Sequence, residues 1–357
     1  MSRGPAELVR DDVRAIIAYH VPPAEGLVKL DAMENPYRLP PALAEEMGRR
    51  LAAVAINRYP DPTNAALKRR LREAMSIPDS LEIVLGNGSD EILQLVTVAL
   101  ARPGATVLSL EPSLAVYKLA AAAAGMRYVG VALNDDFSLD EARLLAAIER
   151  EKPALVWVAY PNNPTGNLFA REAILRVIAA APGLVAIDEA YYAFSGGASL
   201  LDEIGKHPNT LLVRTVSKLG LAGLRVGLAI ARPEWTRELE KLRMPYNVNV
   251  LSAAAADFLL GHRDVFDAQT REIVAERRRL EGALDAMPRV RRFPSAANFV
   301  LARVPDAPAA FEALRQRGIL VRTFHGTHPL LSHCLRLTVG TPDENTRMLD
   351  ALAQAVG

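Results

Sequence analysis

Between Tyr59 and about Pro245, short apolar runs alternate with amphipathic stretches. Leu81–Leu85, Ala105–Leu110, Arg127–Val131, Leu155–Tyr160, Leu184–Asp188, Thr210–Thr215 and Leu228–Ala231 read as strands. Most are continuously apolar, as expected when helices cover both faces of a sheet. Asp90–Ala101, Leu114–Ala124 and Asp140–Ile148 read as helices between them. This rhythm predicts a three-layer α/β unit around a mainly parallel sheet. Residues 1–57 are different: proline-rich and helical only in patches, they read as an arm and the first part of a smaller domain. After Pro245 a long helical stretch, charge-rich over Asp264–Arg279, leads into an α+β tail. In that tail Asn298–Ala302, Ile319–Arg322 and Cys334–Val339 read as strands, and Pro308–Arg317 and Asp343–Ala355 as helices. The expected division is 1–57, a large domain over 58–245, and 246–357, with the smaller domain built from both ends of the chain.

Bulk properties narrow the picture only slightly. At 357 residues the chain is too long for one small core. A net charge of +1 favours neither nucleic acid nor an anionic membrane as partner. No apolar run reaches membrane-spanning length. The one cysteine, Cys334, has no partner within the chain, and the first residues lack a signal-peptide layout, so a cytoplasmic protein is expected.

Chemistry concentrates where strands end, the place where doubly wound sheets bind ligands. Leu85-Gly-Asn-Gly-Ser-Asp-Glu91 joins a strand to a helix. Gly86 and Gly88 permit a tight turn, and the first N–H groups of the helix, beside Ser89, form an anion site. Taken alone, this is equally a plain turn with Ser89 as helix cap. Tyr160-Pro-Asn-Asn-Pro-Thr-Gly166 places Asn163 before a proline, in extended geometry, where its side chain can project over the sheet edge. Asp188 ends an apolar strand, where a carboxylate needs a cation or hydrogen bonds, and Tyr191 follows it closely. Lys218, in Arg214-Thr-Val-Ser-Lys-Leu-Gly-Leu-Ala-Gly-Leu-Arg225, stands among Thr215, Ser217 and Arg225, the hydroxyls and guanidinium that suit a phosphate. A lone lysine with an upstream carboxylate is how a chain holds a pyridine aldehyde: one group for the carbonyl, one for the ring nitrogen. Arg322 ends a strand, and Arg336 lies inside an apolar one, where it needs an anionic partner or a structural salt bridge. His325, His328 and His333 read as loop histidines, so no metal is expected.

These motifs resemble those of the pyridoxal-phosphate-dependent aminotransferases of fold type I, and within them the histidinol-phosphate aminotransferase family. Glu34-Asn-Pro-Tyr37, Arg58-Tyr-Pro-Asp61, Gly86-Asn-Gly-Ser-Asp-Glu91, Pro161-Asn-Asn-Pro-Thr-Gly166, Asp188-Glu-Ala-Tyr191, Ser217-Lys218 and Cys334-Leu-Arg-Leu-Thr-Val-Gly-Thr341 carry the resemblance nearly end to end. It implies a PLP-transferase large domain with a smaller α+β domain. It also implies transamination between L-histidinol phosphate and 2-oxoglutarate in histidine biosynthesis. An aromatic amino-acid aminotransferase or a phospho-amino-acid decarboxylase of the same fold is the alternative. By resemblance, Lys218 is the Schiff-base lysine, Asp188 pairs with the pyridine nitrogen, and Asn163 and Tyr191 bond the phenolic oxygen. Gly88, Ser89, Asp90, Thr215, Ser217 and Arg225 hold the phosphate. Tyr59 reaches the neighbouring subunit's cofactor, which implies a homodimer with shared sites, while Tyr19, Asn35, Arg322 and Arg336 lie at the substrate.

Two positions depart from the family pattern. Arg225 follows Lys218 by seven residues, where many relatives have eight, so the loop must be tighter. Leu114, in Glu111-Pro-Ser-Leu114, stands where relatives usually stack an aromatic on the cofactor ring, so this chain is expected to hold the ring without a π contact.

Overall fold

The computed structural model of the chain describes residues 4–18 and 23–357. Strands are numbered in chain order, beginning with β1 (Val28–Lys29). The central sheet follows: β2 (Glu82–Asn87), β3 (Thr106–Glu111), β4 (Arg127–Ala132), β5 (Leu155–Ala159), β6 (Leu184–Asp188), β7 (Thr210–Thr215) and β8 (Val226–Ala231). Their spatial order is β2-β8-β7-β6-β5-β3-β4. Only β8 runs against its neighbours, pairing antiparallel with both β2 and β7. The two reversals cancel, so β2 points the same way as β3–β7, and their carboxyl ends share one edge. The chain steps outward from β3 to β4 and then returns to the other side of β3 as β5. That reversal of strand order opens a crevice at the carboxyl ends.

Side-chain alternation explains the three layers. On β5, Val156 and Val158 join one core, with Ile174 and Val177 of the Arg171–Ala180 helix. Leu155, Trp157 and Ala159 of the same strand join another, with Ile92 and Leu93 of the Ser89–Ala99 helix and Tyr117 of the Val116–Ala123 helix. A strand buried on both faces has no polar side to show, which is why the apolar runs are unbroken.

The remaining strands are β9 (Arg291–Arg292), β10 (Phe299–Arg303), β11 (Ile319–Leu320), β12 (Arg322–Thr323) and β13 (Cys334–Thr338). An antiparallel sheet has the order β12-β13-β10-β9, and β1 pairs parallel with β11. A third core gathers Leu30 and Met33 from the N-terminal segment with Val300, Leu337 and Leu352. Tyr191 and Phe194, on the loop after β6, belong to this core too, so the carboxyl-end edge of the large sheet abuts the smaller sheet. Among the described residues no helix is long and apolar enough to cross a membrane.

Three features differ from the pattern-based reading. Ile319–Arg322 is not one strand: β11 pairs with the N-terminal segment and β12 with β13, and the chain changes partner at the buried Val321. The helical stretch after Pro245 is two helices, Val250–Leu260 and Arg263–Asp285. A tight turn divides them, with Gly261 N–H donating to the Phe258 carbonyl and His262 N–H to that of Leu259. The Leu114–Ala124 segment is helical only over Val116–Ala123.

Candidate active site

The register of the sheet assembles an anion cradle. Asn87 is opposite Val226, and Thr215 is opposite Gly227, so the end of β2, the end of β7 and the start of β8 lie side by side. Gly88 caps the Ser89–Ala99 helix with φ at 83°, and no side chain satisfies the first N–H groups. Ser89 is therefore not the cap but the first helical residue. The Arg225 guanidinium lies so close over Gly88 that a Cβ there would collide with Nη2. A helix N-terminus and a guanidinium are both positive, and an anion between them relieves the repulsion. The nearest carboxylate, Asp90, is 3.8 Å from Arg225. The Thr215 and Ser217 hydroxyls are 2.8 Å apart, and Thr215 Oγ1 donates to the Val226 carbonyl at 3.1 Å.

The shortened segment after Lys218 is accommodated without losing this geometry. It folds as two short 3-10 turns, Ser217–Leu219 and Ala222–Leu224, separated by Gly220 at φ 118°. Arg225 closes the loop in the left-handed region at φ 53°, and its carbonyl accepts from Gly88 N–H at 2.8 Å. The tighter spacing thus still delivers the guanidinium to the glycine turn.

Beyond the cradle lies a pocket for a ring. Asp188, only 4% exposed, ends β6. Its Oδ2 accepts from the Tyr117 hydroxyl at 2.8 Å and its Oδ1 from Ala190 N–H at 3.1 Å. Burial pushes the carboxyl up to about 6, and these two hydrogen bonds oppose the rise. Asn163 Nδ2 donates to the Tyr191 hydroxyl at 3.1 Å. The Tyr191 ring meets Phe299 edge-on at 5.2 Å. Lys218 Nζ sits 5.8 Å from the centre of the Tyr191 ring and donates to the Ala32 carbonyl at 3.1 Å. Burial, and then the Arg336 guanidinium, push its ammonium down to about 8. Leu114 is half-buried on the loop after β3 and packs against the core that contains Tyr117.

The outer part is cationic. Arg336, buried within β13, donates to Asn163 Oδ1 at 2.6 Å and to the Asp31 carbonyl at 2.7 Å. Its guanidinium stands over the rings of Phe299 at 5.4 Å and Phe324 at 5.2 Å. Arg322 is opposite Arg336 in the β12–β13 register, 6.0 Å from the Phe324 ring centre. Asn35 is engaged elsewhere: its Nδ2 donates to the Leu219 carbonyl and to Gln269 Oε1, both at 3.0 Å, and its Oδ1 accepts from Tyr37 N–H. It pins the loop behind Lys218. Tyr59 is 81% exposed and stacks on Tyr246 at 4.6 Å. Tyr19 lies outside the described residues.

Tyr117, Phe299, Phe324 and the carbonyls of Asp31 and Ala32 are not among the residues expected from the sequence. Only Tyr117 carried a signal: a phenol in an apolar helix face needs a partner for its hydroxyl. Among the described residues no cluster of histidine, cysteine or acidic side chains could hold a metal ion. The residues present fit pyridoxal phosphate: an open anion cradle, a buried carboxylate for a protonated ring nitrogen, a paired amide and phenol, and an amine of lowered basicity.

The sequence model described as Aminotransferase class I and II matches residues 25–352. The histidinol-phosphate aminotransferase of Chromobacterium violaceum is 56% identical over 97% of each chain. Histidinol-phosphate aminotransferase 1 of Ralstonia nicotianae is 51% identical over 98% of this chain and 94% of its own. The solved structure of histidinol-phosphate aminotransferase from Sinorhizobium meliloti, in complex with pyridoxal-5'-phosphate, superposes with a TM-score of 0.87 at 26% identity. That match covers 98% of this chain and 97% of the other. With strand-end chemistry, fold and sequence agreeing, this chain belongs to the class I and II aminotransferases, in the histidinol-phosphate aminotransferase family.

Proposed function

We infer that this chain is a pyridoxal-phosphate-dependent aminotransferase that exchanges an amino group between L-histidinol phosphate and 2-oxoglutarate, giving imidazole-acetol phosphate and L-glutamate in histidine biosynthesis. The observation that carries the reading is the linked set Lys218, Tyr191, Asn163 and Arg336, joined through hydrogen bonds and ring contact beside the buried Asp188. When bound, pyridoxal phosphate supplies a carbonyl that takes the amino group and a ring that spreads the resulting negative charge. Gly88, Ser89, Asp90, Thr215, Ser217 and Arg225 hold its phosphate, Asp188 its ring nitrogen, and Asn163 with Tyr191 its phenolic oxygen. Leu114 covers one face of the ring.

Lys218 does the proton work. With its ammonium pushed down to about 8, more of the lysine is free amine near neutrality than its ordinary basicity would leave, which favours its use as a general base. It takes the proton from Cα of the donor, and in the second half delivers one to the carbon that becomes Cα of glutamate. Arg336 and Arg322 bind the phosphate ester of one substrate and the carboxylate of the other, since a guanidinium fork suits both anions. Tyr19 and Asn35 complete the list of expected substrate neighbours, Asn35 acting through the loop that it pins.

Tyr59 is exposed, as are Ile56, Met244 and Tyr246, the last of which stacks on it. It serves the partner's cofactor phosphate in a homodimer with shared sites. The single buried thiol of Cys334 suits a reducing cytosol.

A coupled assay comparing histidinol phosphate with phenylalanine tests the substrate. The phosphate ester should be the better donor, and a faster rate on phenylalanine, or release of carbon dioxide from a phospho-amino acid, would overturn the reading. The loaded protein should show a visible absorbance band that bleaches on addition of histidinol phosphate and is missing in Lys218→Ala.

A further inference from the structure

Tyr117 is a fully buried ionisable group at the carboxyl-end edge with no task yet in the proposed chemistry. It is 0% exposed, on the Val116–Ala123 helix, and its ring stacks on Trp157 at 5.2 Å with only 3° between planes. Trp157 lies in β5, next to β6, so the stack holds the phenol beneath the strand end that carries Asp188. The hydroxyl donates to Asp188 Oδ2 at 2.8 Å. Nothing about packing requires this bond: phenylalanine would fill the same volume against Trp157.

We propose that Tyr117 is a positioning residue, whose hydroxyl orients the Asp188 carboxylate and keeps it charged so that it can pair with the protonated ring nitrogen of the cofactor. A carboxylate at the end of an apolar strand has two failings as a partner for a cation: it can rotate, and it can pick up a proton. Two donors on separate oxygens, Tyr117 and Ala190 N–H, fix its plane. Each oxygen accepts more than one hydrogen bond, so a lone pair stays free for the ring nitrogen. Hydrogen bonds to the charged form also favour that form. The groups facing Asp188 are otherwise unhelpful, since Asp90 and Glu189 are of like charge. Tyr117 itself stays a donor, because burial and the neighbouring carboxylate hold its phenol well above the usual tyrosine range.

The proposal rests on Asp188 as the ring-nitrogen partner, and the test separates the two. Apo protein, Tyr117→Phe and Asp188→Asn are dialysed to equilibrium against pyridoxal phosphate, from about pH 6 to about pH 8, the range set by the Asp188 and Lys218 values. Titration of the free cofactor is common to all three and cancels in the ratio of affinities. Losing a hydrogen bond to a charged group, Tyr117→Phe should bind about tenfold more weakly near pH 6. The deficit should shrink toward pH 8, because the carboxyl, now less favoured as an anion, ionises only at higher pH. Equal affinity at every pH overturns the proposal, as does a deficit that does not change with pH, which would mark a purely structural phenol. Asp188→Asn must bind weakly for the underlying reading to stand. If Asp188→Asn matches the unmodified protein, it is the assignment of Asp188 that falls. If Asp188→Asn is weak while Tyr117→Phe is normal, only the role of Tyr117 falls.

Discussion

Arg336 acts on two groups at once. It bonds Asn163, and its charge is the second cause, after burial, of the lowered basicity of Lys218. Replacing it with glutamine removes the like charge, so the lysine ammonium returns toward its ordinary range and less free amine exists at a given pH. The expected outcome for Arg336→Gln is a pH profile of cofactor loading displaced to the alkaline side, followed by visible absorbance. The KM for 2-oxoglutarate should also rise by about tenfold or more, as loss of a charge-assisted bond implies. An unchanged loading profile would remove Arg336 from the account of Lys218. Leu114 makes the opposite kind of prediction. It packs as an aliphatic side chain on the loop after β3, where an aromatic ring could stack on the cofactor. An aromatic stack is worth about 0.5–1.5 kcal/mol beyond area, so Leu114→Tyr should tighten binding to the apo protein severalfold. Unaltered affinity would count against Leu114 as the cover of that face.

The strands that carry the site are tied together behind it. Arg214 of β7 and Glu189, just past β6, are 3% and 0% exposed and form an ion pair at 2.9 Å. Glu189 also accepts from Ser199 and from Leu200 N–H, and the guanidinium lies 4.0 Å over the ring of Tyr192. Both charged groups in this knot are held by each other and by further hydrogen bonds, which is the condition under which buried charges are tolerated. Removing one partner leaves the other charged and stranded. Arg214→Met should lower unfolding stability by about 3–5 kcal/mol, read from the denaturant midpoint. A midpoint within error of the unmodified protein would show that solvent reaches the pair. The elements of this edge are legible in the sequence, but their linkage is not. Leu184–Asp188 and Thr210–Thr215 are recognisable as strands because burial on both faces leaves them wholly apolar. That Arg214 points back to Glu189 depends on β6 and β7 being neighbours, which no local pattern encodes.

At the scale of the whole molecule, Tyr59 is exposed and stacks on Tyr246, and Ile56 and Met244 are exposed as well. If Tyr59 serves the partner's site, two damaged chains can repair each other. Lys218→Ala mixed with Tyr59→Ala under subunit exchange should regain activity, because the hybrid combines the lysine of one chain with the tyrosine of the other. No recovery on mixing would place each site within a single chain. Local sequence was enough for several conclusions about this protein. The apolar runs determined a buried, mainly parallel sheet, and Asp188, Asn163 and Lys218 were legible as a set because each falls at or just past the carboxyl end of such a strand, where a doubly wound sheet binds ligands. Tertiary structure decided the rest. It turned β8 around, so that Arg225 arrives over Gly88 despite the shortened loop. It set Tyr117 against Asp188 across 71 positions of sequence, and Arg336 against Asn163 across 173. A strand's pattern records only how its two faces are covered. Which partner each polar group finds is fixed by strand order and register, and these emerge only when the whole sheet closes.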